Sequence, residues 1–205
     1  MVNGIPRIAV RSVAGALLLM AFFTGLWAAW VFPVAPPLIA AAITLPFFLL
    51  AVLFVVEGAV LFAQSGRFPE MATVDRRSRS KRMGLQFGLI FGIEGALIGA
   101  ASGILFATGL DAYLAPVIAL IVGVHFIPLA RVFERTIDYW IAAWVIAVAL
   151  TGILLIGFTS AAPAFVSALV GIGTALGTSV YGIYLLTVKR SVLVRASGSL
   201  PVEPH

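Results

Sequence analysis

Cysteine is absent from this sequence, which excludes disulfides, iron–sulfur ligation and a thiol nucleophile. Charge is nearly as scarce: Asp, Glu, Lys and Arg make up 10% of the chain, against roughly a quarter in ordinary soluble domains. Also missing are the H-E-x-x-H run of zinc proteases, a nucleophile elbow and a phosphate-binding loop. The reading is therefore of a protein that is not an enzyme, with no cofactor and no metal centre. What fills the space is apolar: 62% of the residues and a mean hydropathy of +1.15. Such a chain has too little polar surface to face water on all sides, so its solvent is lipid.

The few basic residues are distributed unevenly. Arg7 and Arg11 precede the first of six apolar stretches; Arg67, Arg76, Arg77, Arg79, Lys81 and Arg82 lie between the second and third; Arg131 and Arg135 lie between the fourth and fifth; Lys189, Arg190 and Arg195 follow the sixth. The three remaining connections hold none of the 13 Lys and Arg residues. Cytoplasmic loops retain Lys and Arg. The pattern thus predicts an all-α polytopic membrane protein, a bundle of six transmembrane helices with the N-terminus and C-terminus both cytoplasmic. The formal net charge of +5 then follows from topology and calls for no nucleic acid. Its expected neighbours are anionic headgroups at the cytoplasmic face, where each basic residue near the surface contributes about 1 kcal/mol.

A bilayer core of roughly 30 Å takes about 20 apolar residues per helix. The expected spans are 13–32, 36–64, 83–108, 112–130, 139–158 and 162–188, in a single membrane domain covering 1–205 with a short mobile tail over 191–205. The first apolar run exceeds the roughly 7–15 residues of a signal peptide core and is read as an uncleaved span. Trp27 and Trp30 are expected to anchor its outer end, Pro33, Pro36 and Pro37 to turn the chain, and Pro46 to kink or tilt the second span. Tyr139, Trp140 and Tyr184 fit an inner aromatic belt. Trp144 and Tyr181 lie deeper and are candidates to line a cavity.

Three ionisable side chains fall inside predicted spans: Glu57, Glu94 and His125. A charge at bilayer depth costs at least about 2.5–3.5 kcal/mol on insertion scales, so such residues point to function by default. At about 1.5 Å of rise per residue, they sit roughly 12, 18 and 9 Å from the basic ends of their helices. All three lie between the inner leaflet and the midplane. Together they can handle protons or a cation. The competing readings are structural: a neutral carboxyl giving one hydrogen bond, and a histidine repairing the Val124 carbonyl that Pro128 frees. Gln64, seven residues beyond Glu57 and on the same face, extends a polar path toward the cytoplasm. Arg131, Glu134, Arg135 and Asp138 read as a solvated link with i,i+3 pairs.

Gly84, Gly88, Gly92, Gly95, Gly99 and Gly103 form a stripe down the third span. At 100° per residue they occupy one face, and glycine lets helices approach closely in lipid. The sixth span carries Gly171, Thr174, Thr178 and Gly182 in similar spacing. Both stripes are read as helix packing surfaces. The two helices also align without gaps at a shift of 79, matching Gly92, Ile93 and Ala96 to Gly171, Ile172 and Ala175, among others. Such matches come readily to helices of this composition, so an inverted three-plus-three repeat stays open.

The run Gly123 to Ala130, G-x-H-F-x-P-L-A, resembles a motif of small, uncharacterised multi-pass membrane proteins of bacteria. The resemblance implies that His125 and Pro128 matter together, and it brings no activity.

The expected function is a small transporter or channel subunit of the bacterial inner membrane, proton- or cation-linked through Glu57, Glu94 and His125. The alternative is a scaffold or accessory subunit, partnered with a second copy or another membrane protein through its glycine-rich faces.

Overall fold

The structure, a computed structural model, describes residues 6–70 and 74–196. Among these, the long elements are six helices: α1 (Arg7–Ala28), α2 (Pro37–Gln64), α3 (Val74–Ala107), α4 (Leu114–Phe133), α5 (Thr136–Phe158) and α6 (Pro163–Ala196). Each is long and apolar enough to cross a membrane, as a multi-pass membrane protein requires. They overrun the apolar stretches at their basic ends: α1 begins at Arg7, α3 at Val74, and α6 continues to Ala196. Hydropathy marks only the part of a helix at lipid depth, while backbone hydrogen bonding continues through charged turns. The helical end of α6 takes in the start of the stretch expected to be a mobile tail, and 197–205 lie outside the described residues.

The turns follow from local chemistry. Pro37 stands at the first position of α2, where its missing N–H leaves nothing unsatisfied and its fixed φ suits the helix. α2 then runs through Pro46 as one element. α3 ends at Gly109, whose φ is +69°. There the Leu110 N–H donates to the Leu105 carbonyl (2.8 Å) and the Gly109 N–H to that of Phe106 (3.3 Å). These are the two bonds of a Schellman cap, which glycine completes without steric cost. α4 ends at Glu134, a left-handed residue with φ 54°, and the chain restarts at once as α5. That break overturns the solvated i,i+3 link: the backbone reverses between Glu134 and Asp138, and Asp138 is fully buried.

α6 is the axis of the bundle. It packs against α1, α2, α4 and α5, while α1 pairs with α2 and α4 with α5. In its most apolar stretch 61% of residues are buried, against 6% in α3. The small residues of α6 explain its position. A methyl group at Gly171 would sit 2.7 Å from the Trp27 carbonyl oxygen, and one at Gly182 would collide with the Phe54 ring. Thr24 and Thr178 hydrogen-bond at 2.9 Å between α1 and α6, both buried. Trp27 is buried and Trp30 half-buried, and a methyl group at Gly171 would also meet the Trp30 side chain at 2.7 Å, so Trp30 lies against α6.

α3 differs. It packs chiefly on α4, and a methyl group built on Gly84, Gly88, Gly92, Gly95, Gly99 or Gly103 would meet nothing within 4 Å. The stripe expected to pack therefore faces outward, with no helix against it among the described residues. The two halves of the molecule correspond in part: α3 leans on α4 as α6 leans on α1. However, α6 also packs along α5, and α3 has no comparable packing with α2. A seam is left open there.

Candidate functional site

The inward face of α3 is written at helical spacing. Met83, Gln86, Phe87, Ile90, Phe91, Glu94 and Ile98 are among its less exposed residues and recur at helical spacing along one side. Glu94 is the polar residue at the centre of that face and is only 5% exposed. Opposite it, α4 presents His125, and the Nδ1 atom lies 3.0 Å from Glu94 Oε1. The imidazole is enclosed by rings: Phe126 with centroids 4.5 Å apart and Phe91 edge-on at 6.4 Å. The Nδ1 approach is close but out of line for a hydrogen bond. No hydrogen bond joins His125 to the carbonyl that Pro128 frees, so among the described residues its polar contact is Glu94.

Behind this pair stands a residue that the sequence reading placed in solvent. Asp138, in the first turn of α5, is 0% exposed. Its electrostatic neighbours are Tyr181, Arg135 and His125, yet neither carboxylate oxygen meets a donor in good geometry. The Arg135 guanidinium donates to the Tyr181 hydroxyl at 3.3 Å. Tyr181, expected to flank a cavity, is 6% exposed and belongs to this cluster. Four consecutive helices thus supply one polar residue each: Glu94, His125, Asp138 and Tyr181. Arg135 completes the set at the basic end. Protons can in principle pass along such a series of carboxyl, imidazole and phenol groups.

Glu57 lies elsewhere. It faces α6 and forms an ion pair with Lys189, so the three expected groups do not converge; two of them do. Gln64 is half-buried at the end of α2 and makes no side-chain hydrogen bond among the described residues. Lys189, and not Gln64, is the polar continuation of Glu57. Trp144 is also displaced from its expected role. It is 48% exposed on the outside of the bundle, lies across Gly177 and donates its indole N–H to the Gly173 carbonyl at 2.7 Å. It lines no cavity.

Two members of these clusters, Asp138 and Lys189, had a signal in the sequence. Asp138 opens the buried stripe of α5 that continues through Ile141, Ala142, Val145, Ala149 and Gly152. Lys189 extends the stripe of Thr174, Thr178, Tyr181 and Leu185 on α6, all buried. Each is a charged residue in phase with a core face. Among the described residues, no three His, Asp or Glu side chains are grouped closely enough to hold a metal ion. Comparison with protein-family models, with curated proteins and with solved structures finds no match to this chain.

Proposed function

We propose that this protein is a small transporter or channel subunit of the bacterial inner membrane, proton- or cation-linked, with both termini cytoplasmic. The observation that carries the reading is the contact of Glu94 with His125, 3.0 Å apart at 5% and 11% side-chain exposure. An acid and a base held together out of water can share one proton as a neutral pair or as an ion pair. Gaining or losing a proton leaves an uncompensated charge at bilayer depth, which costs at least about 2.5–3.5 kcal/mol. A site of this kind changes state when a compensating ion or a conformational change accompanies the proton. Asp138 feels the charge of His125 and is the next acceptor in this reading. Glu57 has no part in this relay; Lys189 holds it as a tie between α2 and α6.

The test uses protein reconstituted in liposomes with a trapped pH indicator, a potassium gradient and valinomycin supplying the driving force. The wild type is expected to pass protons. Glu94→Gln and His125→Ala are expected to abolish that flux while the protein remains folded and monodisperse. Full flux in both variants refutes the assignment.

The scaffold reading retains one observation in its favour, the outward glycine face of α3. Under it, Gly95→Leu disrupts a complex and Glu94→Gln is silent.

A further inference from the structure

A separate feature lies where α3 and α4 meet at their basic ends. A cleft of about 290 Å³ opens there, lined by Arg79, Arg82, Met83, Gln86, Arg131 and Glu134, with Val132 beside them. Three guanidinium groups thus face one carboxylate. That carboxylate is already engaged, since Glu134 Oε1 accepts from Arg79 at 2.9 Å with both side chains exposed. Among the described residues, Arg82 and Arg131 have no ion-pair partner. Toward the bundle interior, Phe87 packs on Phe133 with ring centroids 6.0 Å apart, and Phe87 stacks on Phe91 at 5.6 Å. These rings stand between the cleft and the buried Glu94–His125 pair. The cleft is therefore a basic recess, at the level where the apolar part of both helices begins.

We propose that this cleft binds a phosphate group, carried either by an anionic lipid headgroup or by a free phosphate. Guanidinium is suited to the task because its planar fork matches phosphate oxygens in paired hydrogen bonds and is weakly hydrated. Basic recesses between membrane helices on the cytoplasmic side take phospholipid headgroups by this chemistry. Gln86 adds an amide donor, and Met83 and Val132 give an apolar wall against which a glycerol backbone can lie. The occupied cleft brings Arg82 of α3 and Arg131 of α4 together across one anion. It thereby fastens the outlying helix to the rest of the bundle at its basic end.

The experiment uses the full-length protein in phosphatidylcholine nanodiscs. Phosphatidylglycerol is added to the bilayer in one arm and inorganic phosphate to the buffer in the other. Retained ligand is read by native mass spectrometry, and access to each arginine by phenylglyoxal modification. Binding in the lipid arm alone identifies a headgroup site; binding in the phosphate arm identifies a site for the free anion; either supports the proposal. Arg82→Gln with Arg131→Gln is expected to weaken binding by roughly tenfold or more. Arg67→Gln with Lys81→Gln, which removes the same charge outside the cleft, is expected to leave it within about twofold. Should the first pair fail to fold, ligand protection of wild-type Arg82 and Arg131, but not Arg67, from phenylglyoxal carries the test. Absence of binding in both arms, or equal losses in the two double variants, overturns it.

Discussion

Lys189 on α6 reaches across to Glu57 on α2, and their ammonium and carboxylate groups form an ion pair over 132 residues of chain. The lysine side chain is 11% exposed and the glutamate 33%. A lysine near the end of a membrane helix ordinarily extends its stem to put the charge among headgroups. This one bends to a partner on the neighbouring helix instead. The pair neutralises a carboxylate in the apolar span of α2 and fixes the rotation of α6 against α2.

Removing one partner should therefore be worse than removing both. Breaking a buried pair costs about 3–5 kcal/mol, and the partial exposure of Glu57 lowers this to roughly 1–3 kcal/mol. Glu57→Gln and Lys189→Met are each expected to lower thermal stability in detergent, and the double variant to recover most of the loss. Additive losses in the double-mutant cycle would show that the two side chains do not interact.

Asp138 offers a test of the relay apart from its central pair. Asp138→Asn keeps the size and removes the charge behind His125. Proton flux is expected to fall by roughly a hundredfold, within the range general acid–base groups contribute. Thermal stability is expected to hold or rise, since an unpaired buried carboxylate is lost. An unchanged flux in liposomes would confine the working site to Glu94 and His125.

The two glycine stripes should respond oppositely to bulk. Gly182→Leu drives a side chain into the Phe54 ring, and overpacking of this kind costs roughly 1–3 kcal/mol or more. Loss of the monodisperse folded protein is the expected result. Gly95→Leu meets open space and should leave the melting temperature of the monomer unchanged. A fall in the monomer's stability would place another part of this chain against that face.

The α1–α6 seam can be weakened gently. Thr24→Val or Thr178→Val removes the 2.9 Å hydrogen bond with little change in volume. Membrane interhelical hydrogen bonds average about 0.6 kcal/mol, so each variant should lose about that much in a reversible unfolding assay. A loss above about 2 kcal/mol would mean that the partner left behind finds no substitute.

The spans were legible because they are a property of composition, and lipid constrains composition severely. Pairing was harder, because it depends on how each helix is rotated. The contact of Glu94 with His125 needed α3 to turn its carboxylate toward α4, and the glycines that dominate its pattern then point away. Trp144 looked deep enough to line a cavity, but Gly173 and Gly177 offer it a flat bed on the outside of α6, with a carbonyl for its N–H. Asp138 was hidden by its company: three charged neighbours in the sequence argued for solvent, whereas the left-handed Glu134 precedes a new helix whose first turn points Asp138 inward.

The packing of α3 chiefly on α4 has a consequence for the order in which its buried face is covered. α3 is made before α4, so Glu94 is complete before the helix that carries His125. Its shelter comes only with the next span, when His125 emerges. The α1–α2 hairpin waits longer still, since the surfaces that Thr24, Phe54 and Glu57 present are completed by α6, which is made after α4 and α5. The pairs α1 with α2 and α4 with α5 thus share little packing until α6 lies between them. A ribosome stalled before α6 would hold a chain whose lipid-facing and core-facing residues are not yet distinguished.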